Sequence, residues 1–161
     1  MKPRNCPQLI LFLLALATLA AGCGRSSWED GRNSRGLTKG VLEMGAGDPL
    51  VLDVELALTS DAQAKGLMGV EEIPDDYGMV FLWSDAGVHS FYMKNTLIPL
   101  DIAWWSERGE IVDIQTMEPC TADPCRTYVP AEPHIGAVEV NAGVLEEAGI
   151  EVGDPVRLEQ P

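Results

Sequence analysis

Lys94, Asn95 and Thr96 stand just ahead of Asp101, with Leu97, Ile98, Pro99 and Leu100 between. A lysine ammonium and a carboxylate this close in sequence have two chemical uses. As a salt bridge they staple neighbouring segments, while Asn95 and Thr96 satisfy backbone groups at a tight connection. In an open pocket walled by Tyr92, Trp104 and Trp105, Asp101 is instead a general base and Lys94 an electrostatic stabiliser. Glu139 and Asn141 are the further polar residues able to join the cluster. The chain has no serine in a nucleophile elbow, no phosphate-binding glycine loop and no paired-histidine metal motif. One carboxylate and one lysine make thin catalytic machinery, so the salt bridge is the preferred reading and no residue is assigned as catalytic. His89, before an aromatic run, and His134, in a proline-rich stretch, read as surface or hydrogen-bonding residues rather than bases. No metal and no cofactor is expected.

Strands must position this cluster. Leu100, Ile102 and Trp104 alternate with Asp101, Ala103 and Trp105, a period of two that sends them to opposite faces. Pro99 suits the start of such a strand because it has no N–H to give the ladder. Ser106 to Gly109 supplies turn residues and Glu110 to Met117 resumes the alternation, which predicts a hairpin over 100–117. A second hairpin is predicted from Val41–Met44 and Leu50–Leu58, the latter with Leu52, Val54 and Leu56 inward and Asp53, Glu55 and Ala57 on a mostly wet face. Ser60 with Gln63 reads as the capping box of a short helix that ends at Gly66. Gly78–Trp83 reads as a buried strand, Ser84–Gly87 as a turn and Ser90–Met93 as the end of another strand. The acidic loop from Glu71 to Tyr77 matches no calcium-binding spacing and reads as a solvated turn. Ala137–Val140 is a further strand, Asn141 the N-cap of a second helix over 143–148, and Pro155–Glu159 the last strand. Met68, Met79, Met93 and Met117 are expected to fill gaps in the core. The expected fold is mainly β (α+β): an antiparallel sheet of about seven to nine strands, curled into a small barrel-like domain with two short helices.

The amino-terminus bears on location. Lys2 and Arg4 precede an apolar run from Leu9 to Ala21, too short for the ~20 residues a membrane-spanning helix needs. It ends in Leu19-Ala20-Ala21-Gly22-Cys23, small residues before a cleavage point. A cysteine at that junction resembles a bacterial lipobox, with Cys23 the lipidated first residue of the mature chain. Gly24 to Thr38 is glycine-, serine- and arginine-rich without apolar periodicity and reads as a flexible tether. Outside the cytoplasm Cys120 and Cys125 are expected to be oxidised to a small structural disulfide, rather than to act as a redox pair or thiolate metal site. The formal charge of −14 repels phosphate backbones and anionic lipid, which argues against nucleic-acid binding and against membrane docking through a basic patch.

GLMGVEEIPDDYGMVFLW, FYMKNTLIPLDIAW, GEIVDI, the Cys120/Cys125 pair, Tyr128 and EVNAGVLEEAGIEVGD together resemble the DUF192 family. The resemblance spans residues 50–158, and the Lys94-Asn95-Thr96 to Pro99-Leu100-Asp101 run is its most specific part. Lys65 departs from the family's usual arginine and Tyr92 from its commoner tryptophan. The resemblance implies a small, largely β domain, often secreted or lipid-anchored, with no reaction assigned. The expected organisation is a lipoprotein-type signal peptide over 1–22, a tether over 23–38 and the β domain over 39–161. Two functions follow as expectations. The preferred one is an extracytoplasmic, lipid-anchored module at a bacterial envelope that contacts a partner protein or small ligand. The alternative is an extracytoplasmic hydrolase or transferase using Asp101 with Lys94.

Overall fold

A computed structural model describes residues 36–160 of the 161-residue chain, so the leader, Cys23 and most of the tether lie outside the described residues. The chain runs through β1 (Thr38–Met44), β2 (Leu50–Ala57), α1 (Ser60–Lys65), β3 (Tyr77–Gly87), β4 (Phe91–Tyr92) and β5 (Leu100–Trp105). It continues through β6 (Ile111–Met117), β7 (Thr127–Tyr128), β8 (His134–Asn141), α2 (Val144–Glu147) and β9 (Val156–Glu159). Seven strands form one sheet in the order β6-β5-β8-β3-β2-β1-β9, and β4 pairs with β7 apart from it. Both predicted hairpins form, with Leu42 opposite Leu52 and Ala103 opposite Ile114. The Cys120–Cys125 disulfide closes the loop ahead of β7.

Every pairing in the large sheet is antiparallel except β2 with β3. A parallel pair needs a crossover that passes over one face of the sheet. Here residues 58–76, including α1, make that crossover and roof the sheet. The sheet also curls. The β5–β6 turn reaches the start of β9 through the Glu110–Pro155 bridge, with the Val156 amide donating to the Gly109 carbonyl at 2.7 Å and the Gly153 amide to the Ile111 carbonyl at 2.8 Å. The alternation therefore feeds two cores. Leu42, Leu52, Val54, Leu56, Val80, Trp105, Val138 and Val140 fill one face with Leu145 and Ile150 of the α2 region. Met79, Phe81, Ile102, Trp104 and Ala137 fill the other with Leu67, Tyr77 and Met93 from the roof and connections.

Several local expectations are revised by this layout. The second half of β2 has no wet face, since Glu55 and Ala57 are buried where the crossover covers them. Thr59, not Ser60, caps α1: its Oγ1 accepts from the Ala62 amide at 3.2 Å, a register that packs Ala62 against the core. Asn141 does not cap α2, because it ends β8 while Gly143 takes the cap position. Ser84–Gly87 is not a turn but the irregular far half of β3, whose register on β8 shifts between Leu82 and Gly87.

Candidate functional site

The six polar residues singled out from sequence separate into five places. Asp101 is buried, 4 % exposed, and both of its oxygens are taken: Thr116 Oγ1 donates to Oδ1 and the Gly143 amide to Oδ2, each at 2.7 Å. It thus joins β5 to β6 and to the turn into α2. Lys94 is exposed and makes no ion pair among the described residues. The expected Lys94–Asp101 salt bridge is therefore not formed. Asp101 shares its face with Ala103 and Trp105, whereas Met93, next to Lys94, packs with Leu100 and Trp104 on the opposite face. Asn141 Nδ2 donates to the Ile73 carbonyl and to Asp75 Oδ1 at 2.7 and 2.8 Å, which ties the acidic loop to the end of β8. Asn95 adopts a left-handed φ of 58°, and its carbonyl accepts from the Gly69 amide at 2.8 Å, joining the β4–β5 connection to the crossover.

Thr96 and Glu139 alone of the six come to a common cavity. It measures about 410 Å³ and lies between the crossover and the sheet, lined by Gln63, Lys65, Gly66, Phe81, Trp83, His89, Phe91, Thr96 and Glu139 among others. Glu139 is placed there by the alternation of β8, directly across from Met79 on β3 and Ile102 on β5. Those neighbours offer it nothing polar. Glu139 is 6 % exposed, and its Oε2 is buried without a hydrogen-bond partner. Burial pushes its carboxyl up to about 8, so at neutral pH it is mostly a neutral acid. An unsatisfied buried polar group of this kind costs about 1–3 kcal/mol. A strongly perturbed acid in a cleft marks a candidate functional site. Gly66 closes the cavity at the end of α1 with φ of 45°, and a side chain there would come within 3.7 Å of Glu139 Oε2.

Aromatic rings and two histidines make the wall. His89 stacks on Trp83 with centroids 4.1 Å apart and planes within 3°. Phe91 meets Phe81 and Trp83 edge-on at 4.9 and 6.2 Å. His134, fully buried just behind, lies 5.2 Å from Trp83 and 5.3 Å from His89. Of the surface or hydrogen-bonding roles expected for the histidines, His134 is buried with Nδ1 3.5 Å from the Glu132 carbonyl and His89 is half-buried; β8 opposite the end of β3 brings them together, with Gly87 beside His134. Burial lowers the pKa of His89 and carries that of His134 down to about 4, so His134 is neutral near pH 7. Among the described residues no group of three or more His, Cys, Asp or Glu is placed to hold a metal ion. The arrangement can therefore bind and orient a small molecule, present a proton or a negative charge at Glu139, and stack against a planar or cationic group.

Known proteins resemble this chain over its β domain. The DUF192 family model, described as "Uncharacterized ACR", matches residues 41–158. A UPF0127 protein of Pyrococcus furiosus is 27% identical over 124 residues, 74% of this chain and 96% of that protein. Among solved structures, a Sinorhizobium meliloti chain named provisionally as a transcription regulator superposes with a TM-score of 0.70 at 27% identity, covering 75% of this chain and 94% of its own. A protein of unknown function from Novosphingobium aromaticivorans gives 0.67 at 34% identity, with 76% and 86% covered.

Proposed function

This chain belongs to the DUF192 family, and from that premise we propose that it is a small-ligand-binding module whose guest enters the cavity over Glu139. The observation that carries the reading is the Glu139 carboxyl, buried, without a hydrogen-bond partner on Oε2, and lining a cavity of ligand size. A merely structural acid would be expected to find a donor, as Asp101 finds two. The exposed apolar residues Val88 and Tyr92 at the same cavity fit an entrance rather than a sealed defect. Hydrolysis or group transfer by Asp101 with Lys94 draws no support from this geometry, since both Asp101 oxygens are taken by Thr116 and the Gly143 amide and Lys94 is exposed without an ion pair among the described residues.

A mixture screen of small molecules by two-dimensional amide NMR tests the proposal. The expected hits move the amides of Gly66, Trp83, His89 and Glu139. If every hit maps elsewhere, or none appears, the reading is wrong.

The same proposal places the module outside the cytoplasm of a bacterium, held to a membrane by acyl groups on Cys23. The support is the run of small residues ending at Cys23 and the tether-like composition after it. Several acyl chains on one residue give stable anchoring where one chain gives only marginal binding. Metabolic labelling with a fatty acid is expected to mark the mature protein and to disappear in Cys23→Ala; labelling that persists in that variant rules the anchor out.

A further inference from the structure

We infer that the cavity over Glu139 takes a small organic cation, an amine or quaternary ammonium whose positive end meets the Glu139 carboxylate and the Trp83, Phe81 and Phe91 rings. This rests on the cavity being a ligand site and names the class of its ligand. Three observations point to a positive guest. Glu139 Oε2 has no donor within the protein, so the counter-charge must come from outside if the carboxylate is to ionise. Phe81, Trp83 and Phe91 line the cavity, and aromatic rings attract cations, more strongly when both are desolvated. The chain carries a formal charge of −14, which draws cations toward it.

The groups that face Glu139 leave that role open. Met79 and Ile102 flank it on the neighbouring strands and carry no charge. Lys65 from α1, His89 from the β3–β4 connection and Tyr92 from β4 line the same cavity. Lys65 and Tyr92 are exposed, and His89 stacks on Trp83 with its pKa lowered. Glu55, on the same face beyond Met79, accepts a hydrogen bond from Tyr77 Oη at 3.2 Å. Burial raises the pKa of Glu139, and no ion pair to it forms among the described residues. A bound ammonium would do so, and Glu139 would release its proton as the guest arrives.

Calorimetric titration of the purified protein with choline, and with 3,3-dimethyl-1-butanol as its neutral isostere, tests the inference. Choline is expected to bind at least about tenfold more tightly than the alcohol, an energy gap of ~1.4 kcal/mol. Because the empty site must lose a proton first, choline affinity should rise about tenfold per pH unit from roughly pH 5 to 7 and level off above about pH 8. Glu139→Gln should abolish both the preference for choline and the pH dependence; the comparison on wild-type protein needs no variant. Equal binding of the alcohol, or choline affinity that ignores pH, overturns the ammonium assignment while leaving a ligand site in place. If neither compound binds, the assignment also fails. The cavity reading itself fails only if the wider NMR screen leaves the lining residues unmoved as well.

Discussion

A carboxylic acid that holds its proton to about pH 8 changes how the fold responds to pH, and the sign can be worked out group by group. Glu139 has a folded pKa above its unfolded one, so the folded state binds more protons between the two values and stability falls as pH rises through that interval. His134 is the opposite case: its folded value of about 4 lies below the ordinary histidine value of 6.5, so stability falls as pH drops from 6.5 toward 4. The two slopes oppose one another below about pH 6.5 and leave Glu139 alone above it. Urea unfolding at intervals from about pH 6.5 to 8 is therefore expected to show wild-type stability declining, and Glu139→Gln holding level. Parallel curves for the two proteins would mean that Glu139 is not a buried neutral acid. Glu139→Met removes the unsatisfied oxygen at similar volume and should raise stability by roughly 1 kcal/mol. The gain should come at the expense of ligand binding, since a stable core and a ready carboxyl compete for that position.

The β2–α1–β3 crossover is the element that turns a sheet face into a site, because it lays Gln63, Lys65 and Gly66 over Glu139. Gln63 Nε2 donates to the Leu82 carbonyl at 2.8 Å, which fastens α1 to β3. A six-residue helix has little stability of its own, so its start depends on the Thr59 cap. Thr59→Ala is expected to lose about 1 kcal/mol, whereas exposed Ser60→Ala should stay within about 0.5 kcal/mol. Thermal melts of the two variants decide which hydroxyl caps; a larger loss for Ser60→Ala contradicts the observed register. Sequence made much of this legible. Alternation located β1, β2, β5 and β6 closely, because each sends successive residues to opposite faces and ends near turn residues. It could not show that β2 and β3 run parallel, since a parallel pairing leaves its mark on the connection rather than on either strand. Glu139 and Thr96 were visible as polar residues near a specific run, but their convergence depends on which strands pair. His89 and His134 lie forty-five residues apart in the chain, and only the irregular register of β3 on β8 makes them neighbours. Polarity alone gave Lys94 and Asp101 the same weight as Glu139, and the loop between β4 and β5 hid where Lys94 would fall.

At the scale of the whole molecule the curled sheet feeds both cores, and β5 and β8 make one close approach within it. Trp105 on β5 sits directly opposite Gly136 on β8, and its indole rests against the β8 backbone at that point. A Cβ at Gly136 would come within 2.2 Å of Trp105 Cζ2 and 2.3 Å of Cε2, distances no relaxed contact reaches. The indole has nowhere easy to go, because Trp105 is buried with Ile111 and Val138 beside the seam where the β5–β6 turn meets β9. Gly136→Ala is thus expected to cost roughly 2–3 kcal/mol, toward the upper end of overpacking penalties. Trp105→Phe alone should also destabilise, by leaving a void where the second ring was. Combined, the two should cost less than their sum, since the smaller ring makes room for the new methyl; contacting residues commonly couple by about 0.5–3 kcal/mol. Denaturant unfolding of the two single variants and the double variant closes the cycle. Additive losses would show that the collision is relieved elsewhere in the sheet and that Gly136 is not what admits the indole.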